Sequence, residues 1–165
     1  MEWQGLNELY GQYRRELLLY LYSLCRNEAL AEDLLQETFL KAYFSLSQSH
    51  TNVRAWLYLV ARNLYFDWRR KSGRLVGDEE LPLQDTGPGP EEKLLTDERY
   101  RALYRALDHL DSRKREVLVL QYFGGLSHRE IASLLKIRPD HVGVLGCRAK
   151  KELKKWLKED GYELP

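Results

Sequence analysis

The chain has 165 residues, of which 44% are hydrophobic and 31% are charged, a balance typical of a folded globular protein rather than a disordered one. No run approaches the roughly 20 apolar residues that span a bilayer, and the first residues lack the pattern of a secretory signal, so we expect a cytoplasmic protein with no membrane insertion of its own. Cys25 and Cys147 stand in no CxxC or Cys/His pattern, so we expect no disulfide framework, no metal site and no cofactor.

The net charge of +1 conceals an uneven distribution along the chain. Residues 73–98 hold 2 Lys/Arg and 8 Asp/Glu, whereas residues 99–165 hold 15 and 9. A basic C-terminal segment indicates a polyanionic partner, although a merely solvated basic surface remains an alternative at this point.

The acidic middle segment has the composition of a linker. Between Ser72 and Glu92 there are three prolines and four glycines but no aromatic residue. Proline and glycine both oppose regular helix, and one-sided charge opposes compaction. We therefore predict two small domains, residues 1–72 and 92–165, joined by a flexible acidic linker at residues 73–91.

Both flanks show helical periodicity, and no segment alternates with period two. In the first flank the apolar positions predict a helix before residue 25, a second over residues 29–46, and a third over residues 53–71 that ends at Gly73. The fold class predicted for the whole chain is all-α.

The third helix carries a second stripe of alternating arginine and tyrosine, predicted to lie on a face distinct from the apolar one. Arginine neutralises phosphate, and an aromatic ring offers a stacking surface to an unpaired base, so the stripe suits single-stranded DNA. A solvated face with tyrosines over the core edge explains the pattern equally well. The stripe consists of Arg54, Tyr58, Arg62, Tyr65 and Arg69.

The second helix carries an acidic-amide patch at helical spacing, formed by Glu32, Asp33, Gln36 and Glu37. Paired carboxylates can perform acid–base chemistry, but no nucleophile or metal-ligand histidine lies nearby in the sequence. The patch therefore indicates either docking of a basic partner helix or an ordinary solvated face.

The second flank is typical of a helix-turn-helix. We predict helices over residues 92–110 and from Ser112, the latter burying Val117, Leu118, Leu120 and Tyr122 and ending at Gly124-Gly125. Ser127 and Glu130 form a capping box for a short helix, residues 136–138 turn, and Pro139 starts a long basic helix. In this arrangement the second helix enters the major groove. Its candidate DNA contacts are Arg138, His141, Arg148, Lys150 and Lys151.

Four motifs resemble the extracytoplasmic-function (ECF, group IV) sigma factors of the bacterial sigma-70 family. Residues 31–43, AEDLLQETFLKAY, resemble that family's AEDLVQETFLRAW, and RAWLYLVARN from Arg54, followed by Asp67 and Arg69-Arg70, is similar to its RAWLYRIARN…D..RR. RKREV at Arg113, GLS with EIA at Gly125, and RAKKEL at Arg148 resemble its R.REV…GLS..EIA…RARK.L. The motifs occur in the family's order on both sides of the linker.

The resemblance implies that the first domain is sigma region 2. Its acidic-amide patch, Glu32, Asp33, Gln36 and Glu37, would bind the clamp helices of the RNA polymerase β′ subunit. The third helix and the loop before it would recognise and open the minus-ten promoter element, with one base flipped into a pocket at about residues 47–52, while Trp56 and Asp67 would be structural. The implied minus-ten contacts are Ser49, Asn52, Arg54, Tyr58, Arg62, Asn63, Arg69 and Arg70.

The second domain would be sigma region 4, which reads the minus-thirty-five element and docks on the β flap. The implied DNA contacts are Ser127, Arg129, Arg138, Asp140, His141, Arg148 and Lys151. Four positions depart from the family: Arg138, Gly143, Gly146 and Cys147 replace a capping serine, a basic residue, a leucine and an aromatic or histidine. The two glycines either weaken this helix or permit close backbone approach.

The resemblance therefore implies a sigma factor that binds core RNA polymerase and promoter DNA, performs no bond chemistry, and is held inactive by an anti-sigma partner. A standalone helix-turn-helix regulator is the alternative, although no heptad seam for a dimer is visible. An enzyme would need a convergent site, and the four histidines are scattered.

Overall fold

Seven α-helices and no β-strand make up the part of the chain that the computed structural model describes, residues 3–45, 52–76 and 97–162. The all-α prediction is therefore confirmed. The chain divides into two compact units, Met1–Gly87 and Pro88–Pro165, and the division falls inside the segment predicted to be the linker. Within the described ranges, no helix combines the length and the hydropathy that a membrane span requires.

Where the structure describes it, the first unit has three helices that all pack on one another: α1 (Trp3–Cys25), α2 (Glu28–Ser45) and α3 (Val53–Val76). Their apolar faces meet in one core: the buried positions recur at three- and four-residue steps on α2 and α3, and residues 17–23 of α1 are buried without interruption. Among its fully buried side chains are Leu17, Tyr20, Leu21, Leu35, Leu57 and Tyr58.

The turn between α1 and α2 is built from two polar residues. Arg26 has a positive φ of 52° and so closes α1 with a left-handed residue. Asn27 then caps α2, since its side-chain oxygen accepts a hydrogen bond from the Leu30 backbone N–H at 3.1 Å. Two tight caps in succession fix the angle at which α2 leaves α1.

Gly73 does not end α3, contrary to the sequence prediction. The helix continues through it to Val76. A glycine ends a helix by adopting positive φ, and Gly73 keeps a helical conformation, at a cost of about 1 kcal/mol relative to alanine. Residues 73–76 therefore belong to α3, and the rest of the predicted linker lies outside the described residues.

The second unit contains α4 (Glu98–Leu107), α5 (Ser112–Tyr122), α6 (His128–Leu135) and α7 (Pro139–Glu159). The predicted helix at residues 92–110 is shorter at its C-terminus, since α4 stops at Leu107, and residues 92–96 lie outside the described ranges. The N-termini of the first three helices are capped by Asp97, Asp111 and Ser127.

The prediction that Tyr122 is buried with the apolar face of α5 is wrong. Val117, Leu118 and Leu120 are buried as predicted, but Tyr122 is 58% exposed. It is the last residue of α5 and lines an apolar hollow of about 220 Å³. The ring therefore borders the core without being covered by it.

Candidate functional site

The acidic-amide patch lies on the outer side of α2. Asp33, Gln36 and Glu37 are exposed, and Glu32 is partly exposed, with one carboxylate oxygen 3.7 Å from a guanidinium nitrogen of Arg14. The opposite side of the helix is buried. All four predicted residues therefore lie together on one face, where carboxylates can receive a cationic partner.

The same face continues into two exposed apolar residues that were not among the predicted site residues. Leu40 is 58% exposed and Phe44 is 79% exposed. Asp33, Glu37, Leu40 and Phe44 are spaced by four, three and four residues, which is the spacing of a single helix face. Leu40 and Phe44 could have been found from the sequence, because each is an apolar residue at a position of α2 that the helical periodicity places on the outward face.

The arginine–tyrosine stripe of α3 is not the separate exposed face that the sequence predicted. Tyr58 is 0% exposed and Tyr65 is 6% exposed, so both rings belong to the core. The Tyr58 ring centroid lies 5.1 Å from that of Tyr20 on α1. Tyr58 therefore offers no surface on which a base can stack, contrary to the stacking role predicted for it.

Glu16 on α1 organises the first turns of α3. Its carboxylate binds the guanidinium of Arg54 and accepts a hydrogen bond from the Tyr58 hydroxyl at 3.1 Å. Burial, reinforced by the Glu16 charge, raises the pKa of Tyr58, so this hydroxyl remains a proton donor. Arg54 also lies over the ring of Tyr13, 4.9 Å from its centroid.

The remaining predicted minus-ten residues line the solvent side of α3. Asn63 is exposed, Arg62 lies 4.6 Å above the ring of Phe66, and Arg69 is partly exposed. Arg70 is exposed and bound by Asp67. These residues form a polar, cationic face, although the two tyrosines of the stripe are buried in the core and do not belong to it.

Asn52 has a structural role at the start of α3. Its side-chain oxygen accepts a hydrogen bond from the Ala55 backbone N–H at 3.1 Å, which satisfies one of the free donors of the first turn. Ser49 and the rest of the predicted base pocket before Asn52 lie outside the described residues.

The second unit forms the predicted helix-turn-helix. The capping box is complete: the Ser127 hydroxyl accepts from the Glu130 N–H at 3.1 Å, and the Glu130 carboxylate accepts from the Ser127 N–H at 2.8 Å. Gly125, with φ of 61°, and Lys136, with φ of 58°, make the turns on either side of α6.

All seven predicted minus-thirty-five residues are exposed. On α7 the buried side is formed by Val142, Leu145, Ala149, Leu153 and Leu157, so the outward side carries the cationic residues. Arg138 occupies the N-cap of α7 and makes no side-chain capping bond; it pairs instead with Asp140 at 3.3 Å. The exposed set is Ser127, Arg129, Arg138, Asp140, His141, Arg148 and Lys151.

The two glycines of α7 have different surroundings. A Cβ at Gly146 would lie 3.2 Å from the Gln121 Oε1 atom and 3.7 Å from a Val117 methyl carbon, so glycine here permits close packing of α7 on α5. A Cβ at Gly143 would meet only the His128 ring, at 3.7 Å, which is ordinary contact. Close approach therefore explains Gly146 and not Gly143.

No metal-binding constellation accompanies these surfaces in the described ranges. Groups of three or more His, Cys, Asp or Glu side chains that could hold a metal ion are absent from them. What the geometry provides is an acidic and apolar outer face on α2, a polar cationic face on α3, and a basic outer face on α7.

Comparison with known proteins agrees with this set of surfaces. Residues 9–75 match the family model of Sigma-70 region 2, and residues 100–153 match that of Sigma-70, region 4. The RNA polymerase sigma factor YlaC of Bacillus subtilis (strain 168) is 33% identical over 157 residues, covering 92% of this chain and 91% of that protein. The ECF RNA polymerase sigma factor SigM of the same organism is 30% identical, covering 90% and 93%.

A solved structure shares the fold. The sigma factor RpoE from Bartonella quintana, in complex with the anti-sigma factor NepR, has a TM-score of 0.72 at 23% identity, covering 94% of this chain and 98% of that one. Matches to both sigma regions favour a sigma factor over a standalone helix-turn-helix regulator. The chain belongs to the ECF RNA polymerase sigma factors of the sigma-70 family.

Proposed function

We propose that this chain binds bacterial core RNA polymerase through the outer face of α2 and directs it to promoters through α3 and α7. The observation that carries the proposal is the presence, in one chain, of an exposed acidic face on α2 and a capped helix-turn-helix whose last helix is basic on its outward side. We assign residues 1–72 to region 2 and 92–165 to region 4, with the linker between them.

Polymerase binding is assigned to the acidic-amide patch. Asp33, Gln36 and Glu37 extend into solvent from a helix whose other side is fully packed, so they can engage cationic residues of the β′ clamp helices without rearrangement. Leu40 adds apolar area along the same face. Charged groups mainly set specificity and encounter rate, and the apolar contact adds affinity.

Recognition of the minus-ten element is assigned to the solvent side of α3. Arg62, Arg69 and Arg70 can neutralise phosphates, while Asn63 has both donor and acceptor atoms for a base edge. Strand opening requires unstacking, which costs a few kcal/mol per flipped base and is offset by capture of the exposed base. Ser49 and Asn52 are retained as candidates for that capture.

Recognition of the minus-thirty-five element is assigned to α7, and the same unit is proposed to dock on the β flap. The N-terminal part of α7 carries Arg138, Asp140 and His141, and Arg148 and Lys151 follow on the outward side. In helix-turn-helix proteins the second helix contacts base edges with its N-terminal residues while basic side chains hold phosphates. Tethering two weak readers raises the effective concentration of the second.

We further propose that the chain acts in the cytoplasm without bond chemistry or a cofactor of its own, since polymerase supplies the catalysis. We also propose an anti-sigma partner. The fold-related RpoE was solved with the anti-sigma factor NepR, which supports a partner of that kind.

The experiment is a competition with the housekeeping sigma factor for core RNA polymerase, in which binding is measured by the fluorescence of a labelled core. We expect saturable binding by the wild type and binding weakened at least tenfold by Asp33→Ala/Glu37→Ala, which corresponds to about 1.4 kcal/mol or more. Two exposed carboxylates are lost, so the matched control is Glu8→Ala/Glu159→Ala, which removes two others and should bind normally.

Equal weakening by both double variants would attribute the effect to net charge rather than to this face. No competition by well-folded wild type would refute the proposal. In that case tight duplex binding without polymerase would identify a standalone regulator.

A further inference from the structure

An exposed apolar residue lies among the predicted DNA contacts on the outward face of α7. Val144 is 45% exposed, whereas the valine two residues earlier, Val142, is 0% exposed. The face on which Val144 lies is otherwise polar or charged. An isolated exposed valine is ordinary on a protein surface, so its position relative to the DNA-binding candidates decides its meaning.

Helical spacing places Val144 in line with the predicted DNA contacts. His141, Val144, Arg148 and Lys151 follow one another at steps of three, four and three residues, which is a single face. At about 1.5 Å of rise per residue, Val144 is about 4.5 Å from His141 and about 6 Å from Arg148 along the axis. A helix that presents His141 and Arg148 to DNA therefore presents Val144 as well.

The immediate neighbours of Val144 leave it uncovered. Gly143 has no side chain, so no long basic residue crosses the face at this level. Cys147 is exposed one turn further on, but a thiol is only a weak hydrogen-bond donor. Between His141 and Arg148 the face thus lacks the strong donors and acceptors that read bases by hydrogen bonds.

We propose that Val144 reads a thymine in the upstream promoter element by contacting its 5-methyl group. That methyl is the apolar feature which the major groove presents, and it distinguishes thymine from the other bases. A β-branched side chain suits this contact because its rotamer on a helix is nearly fixed, so little entropy is lost on binding. The inference rests on the proposed role of α7 as the recognition helix.

The charged residues on either side of Val144 supply the phosphate contacts that a valine cannot make. Arg138 precedes it and Arg148 and Lys151 follow it, so phosphate contacts at both ends hold the middle of the helix at a fixed depth in the groove. Sequence preference at the central position then depends on methyl burial. The glycine at position 143 also suits this contact, since an arginine there would compete with the thymine for the space beside Val144.

The test uses holoenzyme assembled from the full chain and core polymerase. Promoters are first selected from a pool randomised only in the upstream element, and each selected thymine is then replaced by deoxyuridine, which lacks the methyl group. At one position we expect a three- to fivefold loss of affinity, because the complex then buries one methyl group fewer. Val144→Ala should reduce that thymine-to-deoxyuridine ratio to about one at that position alone.

Two further variants keep the result interpretable. Val144→Thr retains one methyl group and the β-branch, so its ratio should lie between those of wild type and Val144→Ala. Cys147→Ser changes the neighbouring exposed side chain and should keep the wild-type ratio. Each ratio is measured within one protein preparation, so a smaller folded fraction cannot produce the expected pattern.

Upstream selectivity without any thymine-to-deoxyuridine difference would overturn this inference and leave the proposed function intact. A difference that persists unchanged in Val144→Ala would also overturn it. Holoenzyme that shows no upstream sequence preference at all would overturn both the inference and the assignment of α7 as the recognition helix.

Discussion

Glu16 on α1 accepts a hydrogen bond from Tyr58 on α3, with 3.1 Å between the two oxygen atoms. The same carboxylate binds Arg54. Glu16 therefore binds two side chains, Tyr58 and Arg54, that the sequence pattern predicted to contact DNA. The consequence is a division of the arginine–tyrosine stripe. Its tyrosines pack in the core, whereas Arg62 and Arg69 are partly exposed.

Replacing Tyr58 by phenylalanine should lower the free energy of unfolding by about 1 kcal/mol, because the ring is kept while the partly buried hydrogen bond to Glu16 is lost. Urea unfolding followed by circular dichroism measures the change. Tyr122→Phe is the control, since Tyr122 is 58% exposed and its substitution should leave stability within about 0.5 kcal/mol. Equal stability of Tyr58→Phe and wild type would show that the hydrogen bond to Glu16 does not stabilise the fold.

Two glycine-to-alanine substitutions should act in opposite directions. Gly125 has a positive φ of 61°, which alanine adopts only with strain, so Gly125→Ala should destabilise the protein by about 1 kcal/mol. Gly11 lies within α1 with open space where a Cβ would be, so Gly11→Ala should stabilise by about 0.5–1 kcal/mol. Thermal unfolding compares them, and a shift in the same direction would contradict the backbone argument.

Arg138→Ser should raise stability and lower DNA affinity at once. Arg138 makes no side-chain capping bond at the start of α7, and a serine there can supply one, worth about 1 kcal/mol. The exposed pair with Asp140 contributes little to the fold, so its loss costs little. Removal of one phosphate contact should reduce the salt dependence of upstream binding by about one unit of slope.

Urea unfolding and salt titration of holoenzyme binding measure the two effects of Arg138→Ser separately. Arg138→Ala is the matched control, since it removes the charge and supplies no cap. It should show the same reduction in salt slope with no gain in stability. A salt slope equal to wild type in both variants would remove Arg138 from the set of phosphate contacts.

Stability should decline at alkaline pH because of Cys25. Burial raises the pKa of its thiol from 9.0 to about 11. The unfolded chain therefore loses this proton at lower pH than the folded one, so the contribution of Cys25 to stability is constant below about pH 9 and falls between about pH 9 and 11. Cys25→Ala should show a shallower decline over that range in urea unfolding.

The same environment predicts unequal reactivity of the two free cysteines. Cys147 is exposed and Cys25 is mostly buried, so iodoacetamide at pH 8 should modify Cys147 first, as followed by peptide mass spectrometry. In urea both should react at similar rates. Faster modification of Cys25 in the folded protein would show that the α1–α2 turn opens readily.

The sequence predicted the helices well where apolar spacing and local capping agree. Ser127 and Glu130 form the expected capping box, and Pro139 begins α7 as its fixed φ requires. These features are local, so residues close in the chain decide them. Gly73 was misleading because a glycine ends a helix only if the following chain turns away, which the spacing alone does not reveal.

The site was harder to predict where burial depends on a distant helix. Tyr58 and Arg62 have the same spacing relative to the apolar stripe, yet Tyr58 is 0% exposed because Tyr20 and Glu16 of α1 cover it. A pattern within α3 contains no information about that cover. The outward faces of α2 and α7 were easier, since a polar face opposite an apolar one needs no knowledge of the neighbouring helix.

The uninterrupted course of α3 keeps a constant distance between the residues along it. Its 24 residues span about 36 Å, and Asn52 and Arg70, at its start and near its end, are about 27 Å apart along the axis. Such a rod bends little, so two contacts made at its ends cannot slide relative to each other. If both ends engage the promoter, the distance between the contacted nucleotides is set by the length of one helix rather than by an adjustable loop.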